Sequence, residues 1–132
     1  MKALRFLSIV LLTPIVFLAC SKDEATSKPP TTSVEGDWIG NYGFGSEAPQ
    51  IYFRLNIKSG GVIEELNKSG QSKGSGTWTL SGNTFKAKYK WTILSGSTYS
   101  VQATLNTATG QLSGTWGYDD NPSDGGKFVV SK

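Results

Sequence analysis

The sequence predicts an all-β protein, specifically an eight-stranded antiparallel up-and-down β-barrel, and three observations lead there. A Ser-Gly-Thr-Trp unit occurs twice, as Ser75-Gly76-Thr77-Trp78 and as Ser113-Gly114-Thr115-Trp116, with a looser copy at Gly36-Asp37-Trp38. Apolar and polar residues alternate with a period of two over several stretches, and no segment of any length carries a helical period. The stretches are joined by short Gly-, Ser- and Asn-containing links, which favour antiparallel neighbours. Eight strands in a meander leave two unpaired edges unless the sheet closes, so a barrel is expected, with a β-sandwich as the alternative.

Each element follows from its residues. The Gly36–Tyr42 stretch opens the folded part, with Trp38 and Tyr42 on one face. Ile51, Phe53, Leu55 and Ile57 alternate with Tyr52, Arg54 and Asn56 in a half-buried strand. Ser59-Gly60-Gly61 turns the chain into a strand from Val62 to Leu66. Asn67 to Ser75 reads as a polar, Gly-containing loop, followed by a strand over Thr77 to Leu80 and a Ser81-Gly82-Asn83 turn. Phe85, Ala87, Tyr89, Trp91 and Ile93 then share one face, with Lys86, Lys88 and Lys90 on the other. After Ser95-Gly96-Ser97 come Tyr99, Val101, Ala103 and Leu105, again on one face. The turn at 107–110 leads to a strand from Gln111 to Tyr118, a loop over 119–126 and a last strand from Lys127 to Ser131.

The 132 residues divide into three parts by composition. Residues 1–19 read as a signal peptide: Lys2 and Arg5 precede an apolar run too short and broken to span a membrane. Residues 20–33 begin with the chain's single cysteine and continue as a Pro/Ser/Thr-rich tether with too little apolar surface to order itself. Residues 34–132 form the barrel domain. Removing Lys2 and Arg5 lowers the net charge from +3 to +1, which argues against a nucleic-acid partner. The chain contains no histidine, so Ser-His and Cys-His nucleophiles and His-bearing zinc sites are excluded.

The run Phe17-Leu18-Ala19-Cys20 resembles the lipobox of bacterial lipoproteins, with Phe in place of the usual first Leu. That resemblance implies cleavage before Cys20, acylation of Cys20 with palmitate among the chains, and attachment to a bacterial cell-envelope membrane. The alternative is an ordinary secreted protein with a spare thiol. Ser21-Lys22-Asp23-Glu24 resembles the acidic tag that takes some lipoproteins to the outer face of the outer membrane, and it equally suits the solvated start of a linker.

Gly36-Asp37-Trp38 matches the Gly-x-Trp of lipocalins and avidins, and the later Gly-Thr-Trp units are similar to avidin strands. The chain thus resembles a small lipocalin-like lipoprotein of the calycin group, although the C-terminal helix usual in lipocalins has no counterpart in the sequence. The resemblance implies that Trp38 closes one end of the barrel. It assigns no ligand.

The inward-facing aromatic residues define the candidate site. Tyr42, Phe53, Trp78, Phe85 and Phe128 join Trp38 on the interior face, and Trp91, Trp116, Tyr89, Tyr99 and Tyr118 are the candidate ligand-binding residues. Trp91 and Trp116 lie near strand ends before polar turns, so both are expected at the barrel mouth. Such rings either simply fill an eight-stranded barrel or line a cup for one small lipid, sterol, sugar or heterocycle. Filling at one end with a shallow mouth at the other is the expected compromise.

Asp119-Asp120-Asn121-Pro122-Ser123-Asp124 offers oxygen ligands of the types calcium takes, but its spacing is not that of an EF-hand and its composition is that of a surface turn. No metal and no cofactor is expected. Lys86, Lys88 and Lys90 read as a solubilising row that guards against edge pairing. Glu64 and Glu65 are adjacent, so in a strand they point to opposite faces and do not make a catalytic pair. With no nucleophile motif either, an enzyme is not expected. Two function classes stay open: a membrane-anchored binding module for a small apolar or aromatic ligand, and a protein–protein module such as a hydrolase inhibitor or an accessory subunit.

Overall fold

The computed structural model describes residues 33–94 and 96–132. The proposed signal peptide, Cys20 and most of the tether lie outside these residues. Eight strands follow one another: β1 Gly36–Tyr42, β2 Ile51–Lys58, β3 Val62–Leu66, β4 Ser72–Ser81, β5 Thr84–Trp91, β6 Thr98–Asn106, β7 Gln111–Tyr118 and β8 Gly126–Ser131. Each pairs antiparallel with the next, and β1 pairs with β8 from Ile39↔Ser131 to Tyr42↔Phe128, so the sheet closes. The up-and-down barrel is the observed architecture.

Alternation decides which residues go inside. On β2 the buried residues are Phe53, Leu55 and Ile57; on β5 they are Phe85, Ala87 and Tyr89; on β6 they are Val101, Ala103 and Leu105. Their neighbours in sequence, including Lys86, Lys88 and Lys90, point outward; Ser100, also outward, is buried and donates to the Asp119 carbonyl. Trp38, at 0% exposure, lies in the core with Leu55, Ile57, Ile63, Phe85, Leu112 and Val130, which are also fully buried. These residues fill the end of the barrel where the described chain enters and where the turns at 59–61, 82–83 and 107–110 are short. At that end Trp38 Nε1 donates to the Val34 carbonyl at 2.7 Å, and Lys132 Nζ donates to the Ser33 carbonyl at 2.8 Å.

The repeated Gly-x-Trp has a packing reason. Gly76 and Gly114 sit on the inward face, two residues before Trp78 and Trp116. A Cβ on Gly114 would lie 2.0 Å from the Gln102 carbonyl oxygen and 2.6 Å from Ala103 Cα; one on Gly76 would lie 2.0 Å from the Lys88 oxygen. The neighbouring strand therefore passes where a side chain would begin, which is how a small barrel tightens its wall. Inward glycines also stand beside large side chains. Gly76 pairs with Ile63 and Tyr89, Gly40 with Phe53, and Gly114 with Phe128.

Three expectations need correction. The 67–75 loop is shorter than expected, because β4 already begins at Ser72; its Ser, Lys and Gly residues lack strand-forming side chains, yet pair with β3 and β5 through Glu65↔Gly74 and Gly74↔Trp91. Ile93 does not share the inward face: β5 ends at Trp91, and Ile93 is exposed on the following turn. The lysine row on β5 guards no edge, since a closed barrel has none. Instead Lys88 pairs with Asp120 across the outer wall.

The wall geometry makes a stability prediction. Gly114→Ala should cost about 1–3 kcal/mol through overpacking, whereas Ser113→Ala, one residue away and facing out, should stay within about 0.5 kcal/mol. Trp38→Ala should cost about 3–5 kcal/mol through the cavity it leaves. Denaturant unfolding of the three variants measures all of these.

Candidate functional site: an aromatic cup at the open end

The other end of the barrel is built differently. Its connections are the long 43–50 and 119–125 loops and the 67–71 and 92–97 turns, and the strand ends beneath them carry rings. A cavity of about 120 Å³ opens there, lined by Tyr42, Phe44, Phe53, Glu65, Tyr89, Trp91, Tyr99, Trp116 and Tyr118. All five sequence-derived candidates, Trp91, Trp116, Tyr89, Tyr99 and Tyr118, line this one cup. Strand parity puts all five on a common face, and the three tyrosines form one cross-strand row, because Tyr89↔Tyr99 and Tyr99↔Tyr118 are register pairs.

Trp116 is the hub of the rings. Its centroid lies 5.3 Å from those of Tyr42 and Phe44, 5.5 Å from Tyr118 and 6.1 Å from Tyr99. Tyr99 in turn lies 4.8 Å from Trp91 and 5.9 Å from Tyr89. These are tilted and edge-on arrangements, the ones ring quadrupoles favour. The sequence places Trp116 at an open mouth, but it is only 6% exposed. The loops cover it: Nε1 donates to the Gly43 carbonyl at 2.9 Å, and Gly125 lies so close that a Cβ there would come within 2.6 Å of the indole. It forms a wall of the cup rather than the rim. Trp91 is half-buried and Tyr118 exposed, so these two do reach the rim.

At the cup's inner side stands one charged residue, Glu65, 4% exposed. It lies inward because Ile63, two residues earlier, does; Glu64 points out and pairs with Lys58 at 2.6 Å. Two donors satisfy the Glu65 carboxylate. Trp91 Nε1 donates to Oε2 at 2.8 Å and the Lys73 ammonium pairs with Oε1; the Tyr89 hydroxyl lies near enough to feel the carboxylate's charge. Lys73 Nζ also stands 4.0 Å from the Trp91 ring centroid, a cation–π contact. Burial first, and the Glu65 charge second, push the Tyr89 hydroxyl well above the ordinary tyrosine range. Burial followed by Glu65 raises Tyr42 in the same way, and burial is the main cause at Tyr99.

Sequence reasoning misses Glu65, Lys73 and Phe44 as parts of this site. Parity along Val62 to Leu66 is the signal for Glu65; Lys73 is hidden in a segment that reads as loop, and Phe44 lies in a connection without period. The oxygens of the 119–125 loop are used within the protein: Asp124 Oδ1 accepts from the Tyr118 amide at 2.8 Å, Asn121 Oδ1 accepts from the Ser123 amide at 3.1 Å, and Asp120 pairs with Lys88. Among the described residues, no group of three or more Cys, His, Asp or Glu is placed to hold a metal.

Comparison of the chain with protein-family models, with curated proteins and with solved structures finds no match. The cup is therefore interpreted from its own chemistry.

The buried tyrosine gives a pH prediction. A hydroxyl whose folded-state pKa is raised contributes stability that is fully present below the unfolded tyrosine value of about 10. That stability is lost as pH rises from there through the folded-state value. Tyr89 should thus stay un-ionised in the folded barrel and lower its stability in strong alkali. Tyr89→Phe should remove the last step of a tyrosinate absorbance titration and move the alkaline unfolding midpoint upward.

Proposed function

We propose that this protein is a lipid-anchored, lipocalin-like barrel of a bacterial cell envelope that holds a small apolar or aromatic ligand in the cup at its open end. The observation that carries the reading is the cup itself, a ring-walled recess above a core of fully buried side chains. Concave, mostly apolar recesses with a few placed polar groups are where proteins hold small molecules. Size narrows the choice. Cavities of about 150 Å³ take up one benzene molecule, so about 120 Å³ suits a single ring or one compact group rather than an enclosed sterol or fatty-acid chain.

The anchor and the cup would sit at opposite ends. The described chain enters beside Trp38, at the filled end, while the cup lies at the far ends of the strands. A barrel tethered through acylated Cys20 would present its mouth away from the membrane that holds it. The outer membrane, with the cup on the outer surface, is the location we favour from the sequence.

A second reading, a protein–protein module, is favoured by the rim. Phe44 is 45% exposed and Leu94 88% exposed, and both, with Ile93 and Tyr118, surround the mouth. Exposed apolar residues around a recess suit a partner that inserts one side chain.

Two measurements test the proposal. Fatty-acid labelling in cells should mark the wild-type chain and fail with Cys20→Ala, which should also leave the membrane fraction; an unlabelled, soluble wild type would reject the anchor. Titration of the full chain with single-ring compounds such as indole and phenol should change tryptophan fluorescence saturably, and Trp91→Phe should reduce that change. No response to any ring, together with capture of one defined protein through the rim, would favour the second reading.

A further inference from the structure

The chemistry of the cup goes beyond its size. Its walls are π faces, whose quadrupoles present negative potential to whatever lies against them. Among the described residues the one charged group that lines it is the Glu65 carboxylate, with the Lys73 ammonium behind that carboxylate rather than in the lining. An anion entering the cup would be buried against a carboxylate, and a neutral apolar group would leave the potential unused. The Glu65–Trp91 corner already holds one ammonium, that of Lys73, with the carboxylate on one side and the indole face on the other. The raised tyrosine hydroxyls beside Glu65 are consistent with the same negative field.

We propose that the cup is a receptor for a compact organic ammonium, a quaternary or methylated amine head seated among Trp91, Tyr99, Trp116 and Tyr118 with Glu65 beneath it. The inference rests on the reading of the cup as a ligand site and names the class of ligand. The Lys73 side chain balances Glu65 when the cup is empty, and the ligand's charge shares that carboxylate when it is filled. Lys73 is therefore a built-in competitor. Removing its charge should tighten binding rather than weaken it.

The test uses choline and its neutral isostere, in which a tert-butyl group replaces the trimethylammonium, titrated against the full chain by tryptophan fluorescence. Choline should bind about tenfold more tightly than the isostere, the scale of a partly desolvated cation–π contact. Glu65→Gln should bring the two to within about twofold. Lys73→Gln should tighten choline about threefold or more, because the carboxylate then has no competing charge, and should leave the isostere unchanged. Equal binding of choline and isostere by the wild type would overturn the ammonium assignment while leaving the cup a ligand site. Binding of neither, with no response to indole or phenol, would overturn both. Should Glu65→Gln fail to fold, Lys73→Gln decides alone, and unchanged or weaker choline binding in that variant overturns the proposal. Where choline binds, a fluorescence response to phosphatidylcholine vesicles but not to phosphatidylglycerol vesicles assigns a lipid headgroup as the source of the ammonium. Response to choline alone assigns a free solute.

Discussion

An indole turned toward a barrel interior needs an acceptor for its N–H, and the four tryptophans of this barrel meet that constraint in two ways. Trp38, Trp78 and Trp116 donate to main-chain carbonyls, those of Val34, Lys58 and Gly43. Each acceptor lies at an end of the barrel, so each bond fastens that end to the wall: at the entering chain, at the last residue of β2 before its turn, and at the β1–β2 loop. Trp91 alone donates to a side-chain carboxylate. Three indoles fasten the barrel's ends, and the fourth turns its ring into the wall of a site.

Glycine supplies the complementary half of the design. An eight-stranded barrel has an interior just wide enough for side chains to fill, so rings of this size fit only where a neighbour gives up its side chain. Gly40 beside Phe53, Gly76 beside Tyr89 and Gly74 beside Trp91 are such places. At the entry end the remaining space is taken by aliphatic residues and the stacked Trp78 and Phe85 rings. At the opposite end, rings meet edge to face around a gap. Rigid, tilted rings leave a recess where flexible aliphatic chains would have closed it.

How much of this is legible in the sequence follows from what each signal encodes. Period-two alternation encodes face, and it suffices to put Tyr89, Trp91, Tyr99, Trp116 and Tyr118 on one surface. It encodes neither depth nor cover, so Trp116 reads as a mouth residue although two loops, through Gly43 and Gly125, close over it. Strand propensity fails at Ser72 to Ser75, where ladder partners on both sides impose an extended chain on residues that do not prefer one. The run from Phe85 to Ile93 fails in the opposite sense: alternation continues to Ile93 after the strand has ended at Trp91. Glu65 is legible in principle, since an inward Ile63 fixes its direction, but a carboxylate is not expected inside a small barrel.

That last residue shows the balance the site strikes. The interior positions that pair with it or precede it, Leu55 and Ile63, are aliphatic, and a leucine at 65 would fill the same layer without the cost of burying a charge. A buried ion pair is seldom more stabilising than a packed apolar substitute, because desolvation offsets most of the attraction. What the carboxylate adds is direction. One oxygen fixes the edge of the Trp91 indole and the other holds Lys73. Each of those groups would otherwise need its own acceptor or turn toward solvent. Lys73 of β4 and Trp91 of β5 are thereby held around a single point on β3. The polar cluster lies where the rings leave a gap, so the same bonds that offset the burial of Glu65 also keep the walls of the cup from collapsing into it.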